Sequence, residues 1–144
     1  MPRKTTILIV DDPKIRADLH LGRLNGERYR IVGVNTVEEA LRRARHDLID
    51  LAIVDFGALG VGGVELLGKL KDTSPDLPVI VTTAVPKLEM AVEAMKAGAC
   101  DYLVRPLKLP ELEARVKKVI EDKMMAAPRS PKEGYHFEEI VGKS

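Results

Sequence analysis

Four apolar residues, Leu51-Ala52-Ile53-Val54, stand in unbroken succession between Asp50 and Asp55. A run this short, closed by aspartate on both sides and followed at once by Phe56-Gly57, reads as a strand buried on both faces. Such strands occupy the middle of parallel sheets. Asp55 then falls at the strand's carboxyl end, which is where open α/β sheets bind ligands.

The rest of the chain supplies neighbours for that strand. Thr5 to Val10 is β-branched and apolar, a first buried strand ending in Asp11-Asp12, and Pro13 follows at a natural first helical position. Ile15, Leu19 and Leu21 to Leu24 give a helix that Asn25-Gly26 ends. Tyr29 to Val34 is a second strand, and Thr36-Val37-Glu38-Glu39 has capping-box spacing for a helix running to about His46. After the central strand, a glycine-rich loop leads to a helix through Leu66, Leu67 and Leu70. Pro75-Asp76-Leu77-Pro78 turns the chain into a fourth strand, Val79 to Thr83. Lys87 to Ala97 is helical, with Leu88, Ala91, Val92 and Met95 on one stripe and Gly98 as its C′ stop. Tyr102-Leu103-Val104 is a fifth strand, closed by Arg105-Pro106, and a last helix runs from about Leu109 to Met125. Strand alternating with helix, with near-continuous apolar strands, predicts an α/β fold: a parallel sheet covered by helices on both sides through right-handed crossovers.

Composition narrows the function. A net charge of +1 over 144 residues argues against binding nucleic acid or acidic membranes by general electrostatics. No run reaches the length of a transmembrane helix, and Met1-Pro2-Arg3-Lys4 leads into a strand rather than a secretory h-region. The single cysteine, Cys100, cannot form an internal disulfide, which fits a reducing cytoplasm, and it reads as a small buried hydrophobe. His20, His46 and His136 are scattered and form no metal set.

The chemistry lies at the carboxyl ends of the strands. Asp11 and Asp12 close the first, Asp55 the third, Thr83 the fourth and Arg105 the fifth. Three carboxylates on adjacent strand ends repel one another, and an oxygen-only set suits a hard cation such as Mg²⁺. A hydroxyl and a guanidinium complement a phosphoryl group, so the set reads as a site for phosphoryl transfer onto Asp55. Taken singly, each residue has a plainer reading: an aspartate pair as a helix cap or turn, Tyr102 as a strand residue at the edge of the core.

The run Ile7-Leu8-Ile9-Val10-Asp11-Asp12, the Asp55 loop with Gly63 and Glu65, and Pro78 to Ala84 followed by Glu89 to Ala99 together resemble a response-regulator receiver domain. The resemblance covers roughly residues 5 to 124 and assigns residues 1–125 to a receiver domain. It implies a five-stranded, doubly wound, flavodoxin-like (CheY-like) sheet of order 2-1-3-4-5. By the same resemblance Asp55 is the phosphoacceptor, supplied by a sensor histidine kinase. Asp11, Asp12, Asp55 and the Gly57 carbonyl hold Mg²⁺. Thr83 follows the phosphoryl group, and Tyr102 swings inward with it. The fragment is then a phosphoacceptor switch rather than a turnover enzyme, and it dimerises through the helix from Lys87 and the last helix.

Three positions depart from the family. Arg105 stands where it has lysine, and a planar fork is not a point charge. The loop after Asp12 is one residue shorter, and Ala58-Leu59 replaces the usual Met-Pro. These departures motivate an alternative, a degenerate receiver that serves as a phosphorylation-independent dimerisation or docking module. A flavodoxin-like nucleotide-binding domain ranks far lower, because no phosphate-cradling glycine fingerprint follows the first strand.

Residues 126–134 have the composition of a linker. The terminal Gly142-Lys143-Ser144 is not a P-loop, which would require glycine where Phe137 stands. Phe137, Ile140-Val141 and Gly142-Lys143-Ser144 instead resemble the first residues of the AAA+ ATPase domain in sigma-54-dependent (NtrC-type) transcription activators. That resemblance makes 135–144 the start of a truncated ATPase domain. The downstream ATPase and DNA-binding parts would lie beyond it, so the fragment itself is expected neither to hydrolyse ATP nor to bind DNA.

Overall fold

The computed structural model describes residues 4–10, 28–56, 62–105 and 108–126. The strands are β1 (Thr5–Val10), β2 (Tyr29–Val34), β3 (Leu51–Asp55), β4 (Val79–Thr83) and β5 (Asp101–Val104). The helices among the described residues are α1 (Val37–His46), α2 (Gly62–Thr73), α3 (Leu88–Lys96) and α4 (Leu109–Ala126). All strand pairs are parallel, and the sheet order is β2-β1-β3-β4-β5. The fold class and strand order are those expected from the sequence. The helix expected between Ile15 and Leu24, the loop at 57–61 and the ATPase start expected at 135–144 lie outside the described residues, as does the linker expected at 126–134 except for Ala126, which ends α4.

Period-two alternation sorts each strand into two cores. Leu8, Val10, Val54 and Val81 join Ala40 of α1, Leu66, Leu67 and Leu70 of α2 and Ala94 of α3 on one face. Ile7, Ile9, Leu51, Ile53, Ile80 and Leu103 meet Leu112 and Val116 of α4 on the other. β3 is buried along its whole length because it lies between β1 and β4 and under helices on both sides.

Local signals set the helix ends. Thr36 caps α1 with its hydroxyl oxygen, which accepts the Glu39 N–H at 3.1 Å. The Glu39 carboxylate does not return to the cap, and pairs with Arg42 and Arg43 instead. Hydrogen bonding to Arg42 is the main reason its carboxyl is held below the usual range. α3 ends in a Schellman motif: Ala99 N–H donates to Ala94 O at 3.0 Å and Gly98 N–H to Met95 O at 3.2 Å. Gly98 has φ +111°, and a Cβ there would lie 3.0 Å from Lys71 Cγ. Lys71 is half-buried, so desolvation lowers its pKa, and its ammonium donates to Leu77 O at 2.8 Å. Gly98→Ala is therefore expected to cost about 1–2 kcal/mol, from backbone strain plus crowding of a tethered lysine. Urea unfolding checks this, and an unchanged midpoint would contradict it.

One stripe is placed at the surface, and one expectation needs correction. The stripe of α3 that carries Leu88, Val92 and Met95 faces solvent, with Leu88 79% exposed, while Ala94 supplies the buried contact. Spacing identifies a stripe, but the small residues let α3 approach the sheet, so the larger ones are left outside. Cys100 is at the surface rather than in the core. Partial desolvation, aided by Asp101, still pushes its thiol pKa up.

Candidate functional site

The face of the sheet under α4 runs continuously into the candidate site. Ile53, Ile80 and Leu103 belong to that core, and two residues further along each chain come Asp55, Thr82 and Arg105. Hydrogen-bond register agrees, because Asp55 pairs with Thr82 across β3 and β4, and Thr82 with Leu103 across β4 and β5. Arg105 is fixed by its backbone N–H, which donates to Thr83 O at 2.7 Å.

Asp55 is 1% exposed, a charge-bearing side chain deep in the fold. Thr82, completely buried, donates its hydroxyl to Asp55 Oδ2 at 2.8 Å. Arg105 Nε lies 2.8 Å from the same Oδ2. Its N–H is not aimed along that line, so the attraction is ionic rather than a directed hydrogen bond. These are not the only interactions Asp55 makes.

Thr83 is on the opposite parity. Its hydroxyl accepts the Val85 N–H at 3.1 Å and donates to Val85 O at 3.2 Å, closing a turn before α3. Tyr102 packs its ring against the α1–α2–α3 core. Its hydroxyl oxygen is buried with no hydrogen-bond partner. Such a group costs about 1–3 kcal/mol. Asp11, Asp12 and Gly57 lie outside the described residues, though Asp11 follows directly on Val10, the partner of Val54. Of the expected residues, the structure thus brings Asp55 and Arg105 together and gives Thr83 and Tyr102 other surroundings. Thr82 is the site residue that sequence reasoning missed. Two adjacent threonines end β4, and only the register tells which one shares a face with Asp55.

Among the described residues no group of three or more histidines, cysteines, aspartates or glutamates converges as a metal set. Among the described residues no helix is long and apolar enough to cross a membrane.

The comparisons agree with this geometry. The family model "Response regulator receiver domain" matches residues 7–117. The transcriptional regulatory protein ZraR of Escherichia coli K12 is 34% identical over 114 residues, covering 79% of this chain and 26% of that protein. Among solved structures, a CheY-like response regulator receiver domain protein from Methanospirillum hungatei superposes with TM-score 0.80 at 27% identity, over 87% of this chain and all of that one. NtrX from Brucella abortus gives TM-score 0.75 at 27% identity, over 85% of this chain and 28% of that one. The chain belongs to the response-regulator receiver domain family. It spans about a quarter of the length of the curated relatives it matches first.

Proposed function

We propose that this receiver accepts a phosphoryl group on Asp55 from the phosphohistidine of a sensor kinase and passes the change to a downstream transcription activator. The observation that carries this reading is the buried Asp55 carboxylate at the end of β3, held against the Arg105 guanidinium. In transfer, a carboxylate oxygen bonds to phosphorus as the P–N bond breaks, and the electron pair stays on the imidazole, which takes up a proton. Arg105 offsets the charge added at Asp55. An oxygen-only donor set fits a hard cation, so Asp11, Asp12, Asp55 and the Gly57 carbonyl would hold Mg²⁺. Bound there, the ion would neutralise phosphoryl oxygens.

The output follows from what Thr83 and Tyr102 touch. For Thr83 to donate its hydroxyl to a phosphoryl group it must give up its donation to Val85 O, which frees the segment leading into α3 to move. A partnerless Tyr102 hydroxyl gains by moving to a site where it can bond. Both motions bear on the exposed Leu88, Val92 and Met95 of α3. That surface and α4 are the proposed homodimer interface, whose population shift would act on the AAA+ and DNA-binding domains of a cytoplasmic sigma-54-type activator. The fragment is a switch and not a turnover enzyme.

One observation favours a second reading. With Arg105 and Thr82 both on Oδ2, Asp55 is compensated without phosphate, as a permanently set docking module would require. Phosphoramidate labelling followed by borohydride reduction separates the two, since an aspartyl phosphate becomes homoserine. Homoserine mapped to residue 55 is the expected result, and none, or homoserine elsewhere, favours the docking module.

A further inference from the structure

Thr82 places a hydroxyl directly on the Asp55 carboxylate. It is wholly buried, it pairs in register with Asp55, and its O–H donates to Oδ2 at 2.8 Å. Val79, Ile80 and Val81, which precede it in β4, are all buried apolar residues. A valine at position 82 would have nearly the same shape, so packing does not explain the hydroxyl.

On these grounds, and resting on the phosphoacceptor reading above, we infer that Thr82 is a positioning residue that stabilises the Asp55 carboxylate as leaving group and thereby shortens the life of the phosphorylated state. In this inference Oδ1 takes the phosphoryl group and Oδ2 keeps its bond from Thr82. In hydrolysis, a water oxygen bonds to phosphorus and the P–O bond to Oδ1 breaks. The electron pair of that bond stays on Asp55, and both water protons leave on dihydrogen phosphate. The released charge spreads over both carboxylate oxygens, Oδ2 included. In the phosphorylated state Oδ2 is a neutral acyl oxygen and a weaker acceptor, so the Thr82 hydrogen bond strengthens as the bond breaks. The hydroxyl therefore favours the free carboxylate over the acyl phosphate and speeds return to it. This effect is distinct from the resemblance-derived role of Thr83, whose hydroxyl is turned to Val85.

The test is the hydrolysis half-life of the phosphorylated protein, followed by intact mass after removal of the phosphodonor. Parent, Thr82→Val and Thr82→Ser are compared, with Thr82→Ala as the second hydroxyl-free variant should the valine protein fail to fold. The expected result is a half-life longer by about three- to tenfold in Thr82→Val or Thr82→Ala and close to the parent's in Thr82→Ser. A purely structural role predicts the opposite sign, because a loosened site admits water and shortens the half-life. Equal or shorter half-lives in the hydroxyl-free proteins, with a parent that labels normally, overturn this inference alone. A parent that takes no label overturns the phosphoacceptor reading and this inference together.

Discussion

Phe56→Ala is expected to lower folding stability by about 3–5 kcal/mol. Phe56 follows Asp55 directly, is 1% exposed, and belongs to the core formed with Leu66, Leu67 and Leu70 of α2. Its ring lies against Gly63: a Cβ built on that glycine would sit 2.6 Å from Cδ1 and 3.2 Å from Cγ of the ring. The ring cannot retreat, because it is enclosed. Gly63→Ala alone is therefore expected to cost about 1–3 kcal/mol by overpacking. In the Phe56→Ala background the same substitution should reverse sign. The added methyl then enters vacated space, and alanine is favoured over glycine in a helix by about 1 kcal/mol. Urea unfolding of the parent, both single variants and the double variant measures this coupling. Additive losses would show that the Phe56–Gly63 contact does not decide how α2 docks behind the acceptor strand.

The second large effect belongs to Arg105. Asp55 is almost wholly enclosed and the Arg105 side chain is 11% exposed, so removing the cation leaves a carboxylate short of compensation in a low-dielectric setting. Arg105→Ala is expected to cost about 2–4 kcal/mol, with the Thr82 hydrogen bond moderating the loss. It is also expected to slow phosphorylation of Asp55 on the order of a hundredfold, the scale of losing one preorganised charge partner. Arg105→Lys restores the charge but not the fork, so it should recover most of the stability and a smaller part of the rate. Chemical unfolding and a time course with a small phosphodonor read the two effects separately. An Arg105→Ala protein as stable as the parent would contradict the account of how Asp55 is held.

These expectations rest on features of unequal legibility in the sequence. The inner strands β1, β3 and β4 were marked by unbroken apolar, β-branched runs, because burial on both faces removes any reason for polar residues within them, while the edge strands β2 and β5 keep exposed positions. The Thr36 cap and the Gly98 stop were visible because each depends on a side chain, or its absence, at a single position. The Asp55–Arg105 pair could also be anticipated, since both residues close strands. Thr82 could not. Alternation carries no polarity signal in strands with two apolar faces, so nothing distinguishes Thr82 from Thr83 until the register of Asp55 against β4 is known. The outward stripe of α3 was hidden for a related reason. Leu88, Val92 and Met95 have the spacing of a core face, but Ala94, with Met90 partly buried beside it, is what packs on the core.

The central claim is that Asp55 is a working phosphoacceptor with arginine in place of the family's lysine. Intact-protein mass after incubation with acetyl phosphate and Mg²⁺, on the parent and on Asp55→Asn, tests it most directly. The account predicts a gain of one phosphoryl group in the parent and none in the variant. No gain in the parent, or the same gain in both proteins, would contradict it.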